Sequence, residues 1–278
     1  MIILLLGHRG MLGNDLLVHL GGRHDVIGMD KEEIDITSAV ECKKAIAETK
    51  PDIIINAAAY TDVDGCEDHQ DECLAVNAEA VKNIAGACQG KNIGIVHFST
   101  DYVFDGKGSE PYKEDHACNP INAYGFSKLA GERYLLSLSD NYLLIRTAWL
   151  YGKNGKNFVR TILKKAETTD KLEVVDDQIG SPTYTKDIAA AVGFLIEKNI
   201  RGIYHVTNRG ICSWFQFAVR ILQESAITAV QVIPVKSDKL TRPAKRPLYS
   251  VLSNQKFVQT TGKTMQPWQL ALQDYLKK

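Results

Sequence analysis

The sequence predicts an α/β fold, a doubly wound parallel sheet with a smaller, discontinuous C-terminal lobe. Three observations predict it. Apolar runs of strand length alternate with helical patterns through the first 150 residues. A glycine-rich turn follows the first apolar run, and an acid closes the second. After Trp149 the rhythm breaks and then returns once.

Taken in order, strands are expected over 2–6, 25–29, 52–56, 93–98 and 142–146. Helical patterns lie between them at 11–20, 38–49, 71–89 and 122–137. Strands that are apolar throughout and flanked by helices belong to a parallel sheet buried on both faces. A helix over 156–166 and a strand over 172–175 precede a loop at 176–185. The helix at 185–198 and the strand at 202–206 read as a return to the main sheet. From Trp214 onward come helices and proline-rich connections, including Thr241-Arg-Pro-Ala-Lys-Arg-Pro247. The sheet domain then spans 1–150 and about 183–208, and the second lobe about 151–182 and 209–278.

Composition narrows the partners. The 278 residues are 45% hydrophobic and 24% charged, with 33 basic residues against 33 acidic. Zero net charge gives no footprint for nucleic acid and no polybasic membrane patch. The apolar opening stops at Gly7 and is too short to span a bilayer, so a buried strand in a cytoplasmic protein is expected. Six cysteines (Cys42, Cys66, Cys73, Cys88, Cys118, Cys212) show no CxxC and no metal-ligand spacing, so reduced thiols are expected.

The turn Gly7-His-Arg-Gly10-Met-Leu-Gly13 opens the first helix. Its glycines permit a tight turn and a close backbone approach to a pyrophosphate, which the N–H groups at the helix start would face. Gly7, Arg9, Gly10, Met11, Leu12 and Gly13 are therefore candidate cofactor residues of a Rossmann-like dinucleotide site. Asp30, 17 residues after Gly13, closes the second strand and suits a ribose 2′-hydroxyl. Lys31 and Arg9 could offset that carboxylate and hold a 2′-phosphate, which slightly favours NADPH with NADH usable. Asp35 and Ile36 should lie near the adenine. The small residues Ala57, Ala58 and Ala59, followed by Tyr60 and Thr61, would let the backbone approach the cofactor.

Tyr124 and Lys128 stand at i and i+4 on a predicted helix and share a face. An ammonium near a phenol lowers its pKa toward the range useful for proton exchange. Lys128 could also hold the nicotinamide ribose. Ser99 and Thr100 end the fourth strand, where open α/β sheets line their ligand crevice. A hydroxyl there can donate to a developing alkoxide, and either residue can supply it. The combination describes a carbonyl reductase.

These segments resemble the extended short-chain dehydrogenase/reductases, and more closely the dTDP-4-dehydrorhamnose reductases. The matching stretches are Ile-Asn-Ala-Ala-Ala-Tyr-Thr (55–61), Ser-Thr-Asp-Tyr-Val-Phe (99–104), Ala-Tyr-Gly-Phe-Ser-Lys-Leu-Ala-Gly-Glu (123–132) and Arg-Thr-Ala-Trp-Leu-Tyr (146–151). Asn157-Phe158, Asp177-Gln-Ile-Gly-Ser-Pro182 and Arg246-Pro247 extend the match into the second lobe. The resemblance implies NAD(P)H-dependent reduction of the C4 ketone of a dTDP-4-keto-6-deoxy sugar, yielding dTDP-L-rhamnose for cell-surface polysaccharide. It implies Thr100 as the carbonyl-binding hydroxyl, Tyr124 as proton donor and Lys128 as its partner; Ser99 stays a rival to Thr100 and is a candidate cofactor residue. It places Asp101, Tyr102 and Trp149 against the sugar, and Asn157, Gln178 and Arg246 toward the diphosphate. It leaves open a monomer or a homodimer assisted by magnesium, for which Asp15 is the one acid on the first helix; no compact ligand cluster appears. The alternatives are a silent dinucleotide-binding regulatory subunit, which could dispense with Tyr124 or Lys128, and a reductase or epimerase of another nucleotide sugar. A dehydratase would need a glutamate beside Asp101, and Tyr102 stands there instead.

Overall fold

The computed structural model describes residues 1–277. The parallel sheet is built from β1 (Ile2–Leu6), β2 (Asp25–Met29), β3 (Ile53–Asn56), β4 (Gly94–Thr100), β5 (Tyr142–Thr147) and a late strand, Gly202–His205. Their spatial order is β2-β1-β3-β4-β5 and then the late strand, all parallel. The order reverses direction between β1 and β3. Ligands bind in the crevice outside the carboxyl ends of strands at such a switch point.

Strand pleating sorts the side chains. Ile3, Leu5, Ile53 and Ile55 face one layer of helices, α1 (Met11–Gly21) and the late helix Thr185–Glu197. Leu4, Leu6 and Ile54 face the other, formed by α2 (Ala39–Thr49) and the helices that follow β3. Continuous apolar strands thus serve both faces, as expected of a buried parallel sheet.

The helix expected over 71–89 is interrupted. After β3 come α3 (Gly65–Asp68), α4 (Gln70–Leu74), a π turn (Ala75–Glu79) and α5 (Ala80–Cys88). The π turn carries Asn77, whose amide accepts from the Tyr60 N–H at 2.9 Å and donates to the Tyr60 carbonyl at 3.0 Å. That tertiary demand overrides a regular helix, as π turns often do near functional sites. The fold-back of α3 on α4 brings the Cα atoms of Cys66 and Cys73 to 5.6 Å, where the two form a disulfide. This corrects the expectation of six reduced thiols; Cys42, Cys88, Cys118 and Cys212 are free.

α6 (Ala123–Leu138) starts at Asn122, whose side chain accepts from the Gly125 N–H at 2.8 Å. After β5 come β6 (Leu150–Tyr151), α7 (Phe158–Ala166), β7 (Lys171–Val175), β8 (Ile179–Gly180), β9 (Thr183–Tyr184) and α8 (Thr185–Glu197). β10 (Gly202–His205) then completes the sheet beside β5. β11 (Cys212–Ser213), α9 (Trp214–Glu224), β12 (Gln231–Val235), α10 (Gln255–Thr261) and α11 (Trp268–Leu276) follow. The second core gathers Tyr151, Val159, Phe217, Trp268 and Leu272, with β7 and β12 paired in parallel beside it. Phe257 and Met265 instead enter the core under the main sheet. The stretch around α10, expected in the second lobe, therefore packs with the sheet.

Asp15 accepts from the Thr185 hydroxyl, and no group of three metal-ligating side chains occurs among the described residues. Among them, no helix is long and apolar enough to cross a membrane.

Candidate active site

The glycine turn lies flat against the end of β3. Gly7 has φ +78°, and a Cβ on it would sit 2.7 Å from the Ala58 nitrogen. A Cβ on Gly13 would sit 2.0 Å from the Gly7 carbonyl oxygen. Gly10 caps α1 with no side-chain bond, so the first-turn N–H groups remain available to an anion. These features fit a dinucleotide pyrophosphate. The adjoining cleft has a volume of about 890 Å³. Gly7, Arg9 and Gly10 form one wall, Asp30, Lys31, Asp35 and Ile36 the next, and Ala57, Ala58, Ala59 and Tyr60 the third.

Other expected cofactor residues lie elsewhere. Leu12 is in the sheet core, because the face of α1 that carries it packs inward. Met11 points to the second lobe, where its sulfur lies 3.8 Å from the Asn157 amide nitrogen. Thr61 is around the corner, in the larger cavity. The Ser99 hydroxyl is buried without a partner.

Thr100 ends β4 and caps the short turn Asp101–Val103. Its hydroxyl accepts from the Tyr102 N–H at 3.1 Å and donates to Asp101 Oδ1 at 2.9 Å. Of the two rival hydroxyls, it is Thr100 that faces Asp101 and Tyr124. Asp101 is 2% exposed, and its Oδ2 has no partner. Burial pushes its carboxyl up to about 6, against the pull of the Ser250 and Thr100 hydroxyls. Tyr124 stands edge-on to Tyr102, with ring centroids 5.8 Å apart.

Burial raises the Tyr124 phenol above its ordinary range, the Asp101 charge adds to that rise, and the Thr100 hydroxyl opposes it. The expectation that Lys128 lowers this pKa is not met. Lys128 is 2% exposed; burial pushes its ammonium down to about 8, and Glu132 pulls the other way. Its charge instead helps keep His97 neutral, behind the main effect of burial. The His97 tautomer follows from its neighbours. Asn56 Oδ1 takes the Ala58 N–H at 3.2 Å, so its amide nitrogen donates to His97 Nδ1 at 3.3 Å. The proton then sits on Nε2.

The segment after β3 grips the start of α6. Glu67 accepts from the Ala123 N–H at 2.9 Å, and Asn77 donates to the Ser127 hydroxyl at 3.0 Å. Ser127 in turn donates to the Tyr124 carbonyl at 2.8 Å. Further along α6, Glu132 takes a two-pronged, buried ion pair from Arg146 on β5. These contacts were not foreseen from the sequence, because each depends on which loops meet.

The second cavity has a volume of about 980 Å³. Tyr102, Gln178 and Arg246 line it, and so do Asp64, Phe158, Trp214 and Arg242. Arg246 donates to Asp64 Oδ1 at 2.9 Å and Oδ2 at 2.7 Å. That fork holds the Asp64 carboxyl below the ordinary carboxylate range. Arg242, in the same proline-rich stretch, makes no ion pair among the described residues.

Two residues expected on the substrate side, Trp149 and Asn157, are engaged within the protein. Trp149 has φ +50° and stacks flat on Trp214, with centroids 3.5 Å apart and Gly180 leaving room for its ring. Trp214 is the indole that lines the cavity. The legible signal for it was the capping box Ser213–Gln216, which starts a helix on Trp214. Asn157 is consumed as the cap of α7: it accepts from the Arg160 N–H at 3.0 Å and donates to the Gly152 carbonyl at 2.8 Å.

Comparison with known proteins agrees with this geometry. The model of the family described as RmlD substrate binding domain matches residues 1–278. The chain belongs to this family. Among RmlD-family relatives, a dTDP-4-dehydrorhamnose reductase of Aggregatibacter actinomycetemcomitans is 41% identical, over 98% of this chain and 97% of that protein. The crystal structure of a dTDP-4-dehydrorhamnose reductase from Clostridium acetobutylicum superposes with TM-score 0.97 at 43% identity, covering 99% of this chain and 98% of that one. The Bacillus anthracis dTDP-4-dehydrorhamnose reductase, solved in complex with NADP, gives TM-score 0.95 at 38% identity, covering 99% and 98%.

Proposed function

We propose that this chain is an NAD(P)H-dependent reductase converting the C4 ketone of dTDP-4-dehydro-L-rhamnose to the alcohol of dTDP-L-rhamnose. The observation that carries the reading is the meeting of two clefts. Tyr60 lines the glycine-turn cleft and Thr61 the larger cavity, while Tyr102, against Tyr124, lines that same cavity. The names of the RmlD-family relatives and the NADP-bound neighbour support the substrate class and the cofactor.

When bound, the dihydronicotinamide supplies the hydride. The glycine turn and the start of α1 hold the pyrophosphate, and Asp30 meets the adenosine ribose. Thr100 and Tyr124 donate to the C4 oxygen. The Thr100 hydroxyl rotates away from Asp101 to do so. Negative charge grows on that oxygen during reduction, so both donors bind the transition state more tightly than the ketone. A raised pKa keeps Tyr124 protonated at neutral pH. An alkoxide is a stronger base than a phenolate, so the proton still passes downhill from Tyr124 to the sugar. Lys128, mostly ammonium at neutral pH, would hold the nicotinamide ribose. Trp214 and Phe158 offer an apolar wall, and Gln178, Arg242 and Arg246 offer polar groups to the nucleotide diphosphate.

The test is to follow NAD(P)H absorbance with enzymatically generated 4-keto-6-deoxy sugar nucleotide. Oxidation that depends on the sugar supports the reading. Cofactor binding with no oxidation would overturn it in favour of a dinucleotide-binding regulatory subunit.

A further inference from the structure

The cations at the Asp30 end of the dinucleotide cleft are Arg9 and Lys31. Arg9 is already engaged. Its Nη1 donates to Glu32 at 2.7 Å and its Nη2 to Glu33. Glu33 is itself held in place, because its other oxygen accepts from the Asp30 N–H at 2.8 Å. Asp30 accepts in turn from the Arg9 N–H at 3.0 Å. The contacts close a ring through Arg9, Asp30 and Glu33, with Glu32 as a second hold on the guanidinium. The side chains of Arg9 and Glu32 are each 51% exposed, so solvent and salt screen the pair.

We propose that Glu32 and Glu33 set the discrimination between NADPH and NADH by holding Arg9 back from a ribose 2′-phosphate. The proposal rests on the reading that this cleft holds NAD(P)H. A 2′-phosphate brings close to two negative charges toward the carboxylates of Asp30, Glu32 and Glu33. To fork onto it, Arg9 must leave both glutamates, which then stand unpaired beside a dianion. A ribose 2′-hydroxyl makes no such demand: it donates to Asp30 and leaves Arg9 clamped. The penalty therefore falls on NADPH alone. Arg9 is a phosphate ligand kept in check, and the check is two residues that no glycine-turn signature contains.

The test uses equilibrium titration calorimetry on the full chain, with no turnover required. NADPH, NADH, 2′,5′-ADP and 5′-AMP are titrated into the wild type, the double variant Glu32→Gln/Glu33→Gln, and Arg9→Ala in both backgrounds. Glutamine keeps an acceptor for the Asp30 N–H while removing each charge. The double variant should bind NADPH and 2′,5′-ADP roughly three- to tenfold more tightly, with NADH and 5′-AMP unchanged to within about twofold. Raising the salt should shrink the gain, and Arg9→Ala should erase it. A double variant with the wild-type ratio of NADPH to NADH affinity overturns the proposal. Wild-type protein that binds neither dinucleotide overturns the reading of the cleft itself.

Discussion

Arg246 forks onto both carboxylate oxygens of Asp64, at 2.9 and 2.7 Å, and so ties the second lobe to the loop that follows β3. The guanidinium faces the large cavity while its charge is shared. Arg246→Ala should raise the sugar-nucleotide KM roughly ten- to a hundredfold, with the dinucleotide Kd unchanged. Asp64→Ala leaves the cation but frees it to wander, so a smaller rise, about three- to tenfold, is expected. Steady-state kinetics on the double variant decide the matter: it should match Arg246→Ala alone, and additive effects would show that the two residues act separately.

Tyr124→Phe should lower kcat by about 10²–10⁴-fold while leaving dinucleotide affinity intact. The raised phenol pKa adds a directional consequence. Oxidation of the product alcohol needs the phenolate, so the reverse rate should climb with pH well beyond neutrality. Initial rates measured in both directions across pH test this, and a flat reverse profile would rule it out.

Lys128 titrates at about 8, below its ordinary 10.5, because it is buried. The sign follows directly. The folded state disfavours the ammonium, so Lys128 lowers stability at all pH values below about 8, and that cost fades between about 8 and 10.5. Function runs the opposite way, since the charge that would hold a ribose is lost above pH 8. The cofactor KM should rise on that limb. Lys128→Arg, which stays charged, should flatten it; the pH dependence of KM(NADPH) for both proteins is the check.

Asp101 titrates at about 6 rather than 3.8. The folded state here favours the protonated acid. Stability contributed by this group is therefore present below pH 3.8 and is lost as pH rises to about 6, a change of about 3 kcal/mol. Asp101→Asn should remove that slope while preserving an acceptor for Thr100. Urea titrations of both proteins at pH 4, 5 and 7 should show the difference widening with pH; parallel curves would mean the carboxyl titrates normally.

Gly13→Ala places a methyl group 2.0 Å from the Gly7 carbonyl oxygen, with backbone on both sides of the clash. The turn must open to admit it. A loss of about 1–3 kcal/mol is expected, together with loss of dinucleotide binding. Thermal melting and titration with NADH measure the two effects separately.

Much of the fold was legible because its signals are local. The apolar runs that became β1, β2, β3, β4 and β5 need only their own residues to read as buried strands, and the glycine turn needs only its place after β1. The return of 202–206 to the sheet was also visible, as one more apolar run after a helix. What escaped reading depends on encounters. Trp149 looked like a sugar platform, but nothing local says that Trp214, 65 residues later, takes the cavity side of the stack. Asn157 looked polar and available until the α7 N-terminus claimed it. Spacing put Lys128 on one helix face with Tyr124, but it carries no information on the burial that governs the lysine's charge. Phe257 carried no mark saying under which of the two cores it would settle.

The π turn at Ala75–Glu79 has a consequence for anyone redesigning this molecule. One amide, on Asn77, grips Tyr60 at the rim of the dinucleotide cleft and Ser127 beneath Tyr124. The neighbouring Gly131 of α6 lies so near that a methyl on it would strike the Asn77 carbonyl, at 2.2 Å. The rim of the cleft and the seat of Tyr124 thus share a fastening. A library that varies residues around Asn77 to alter one property will drag the other along, and selection for a new cofactor is better started at Arg9, Glu32 and Glu33, whose side-chain hydrogen bonds among the described residues run to one another and to Asp30.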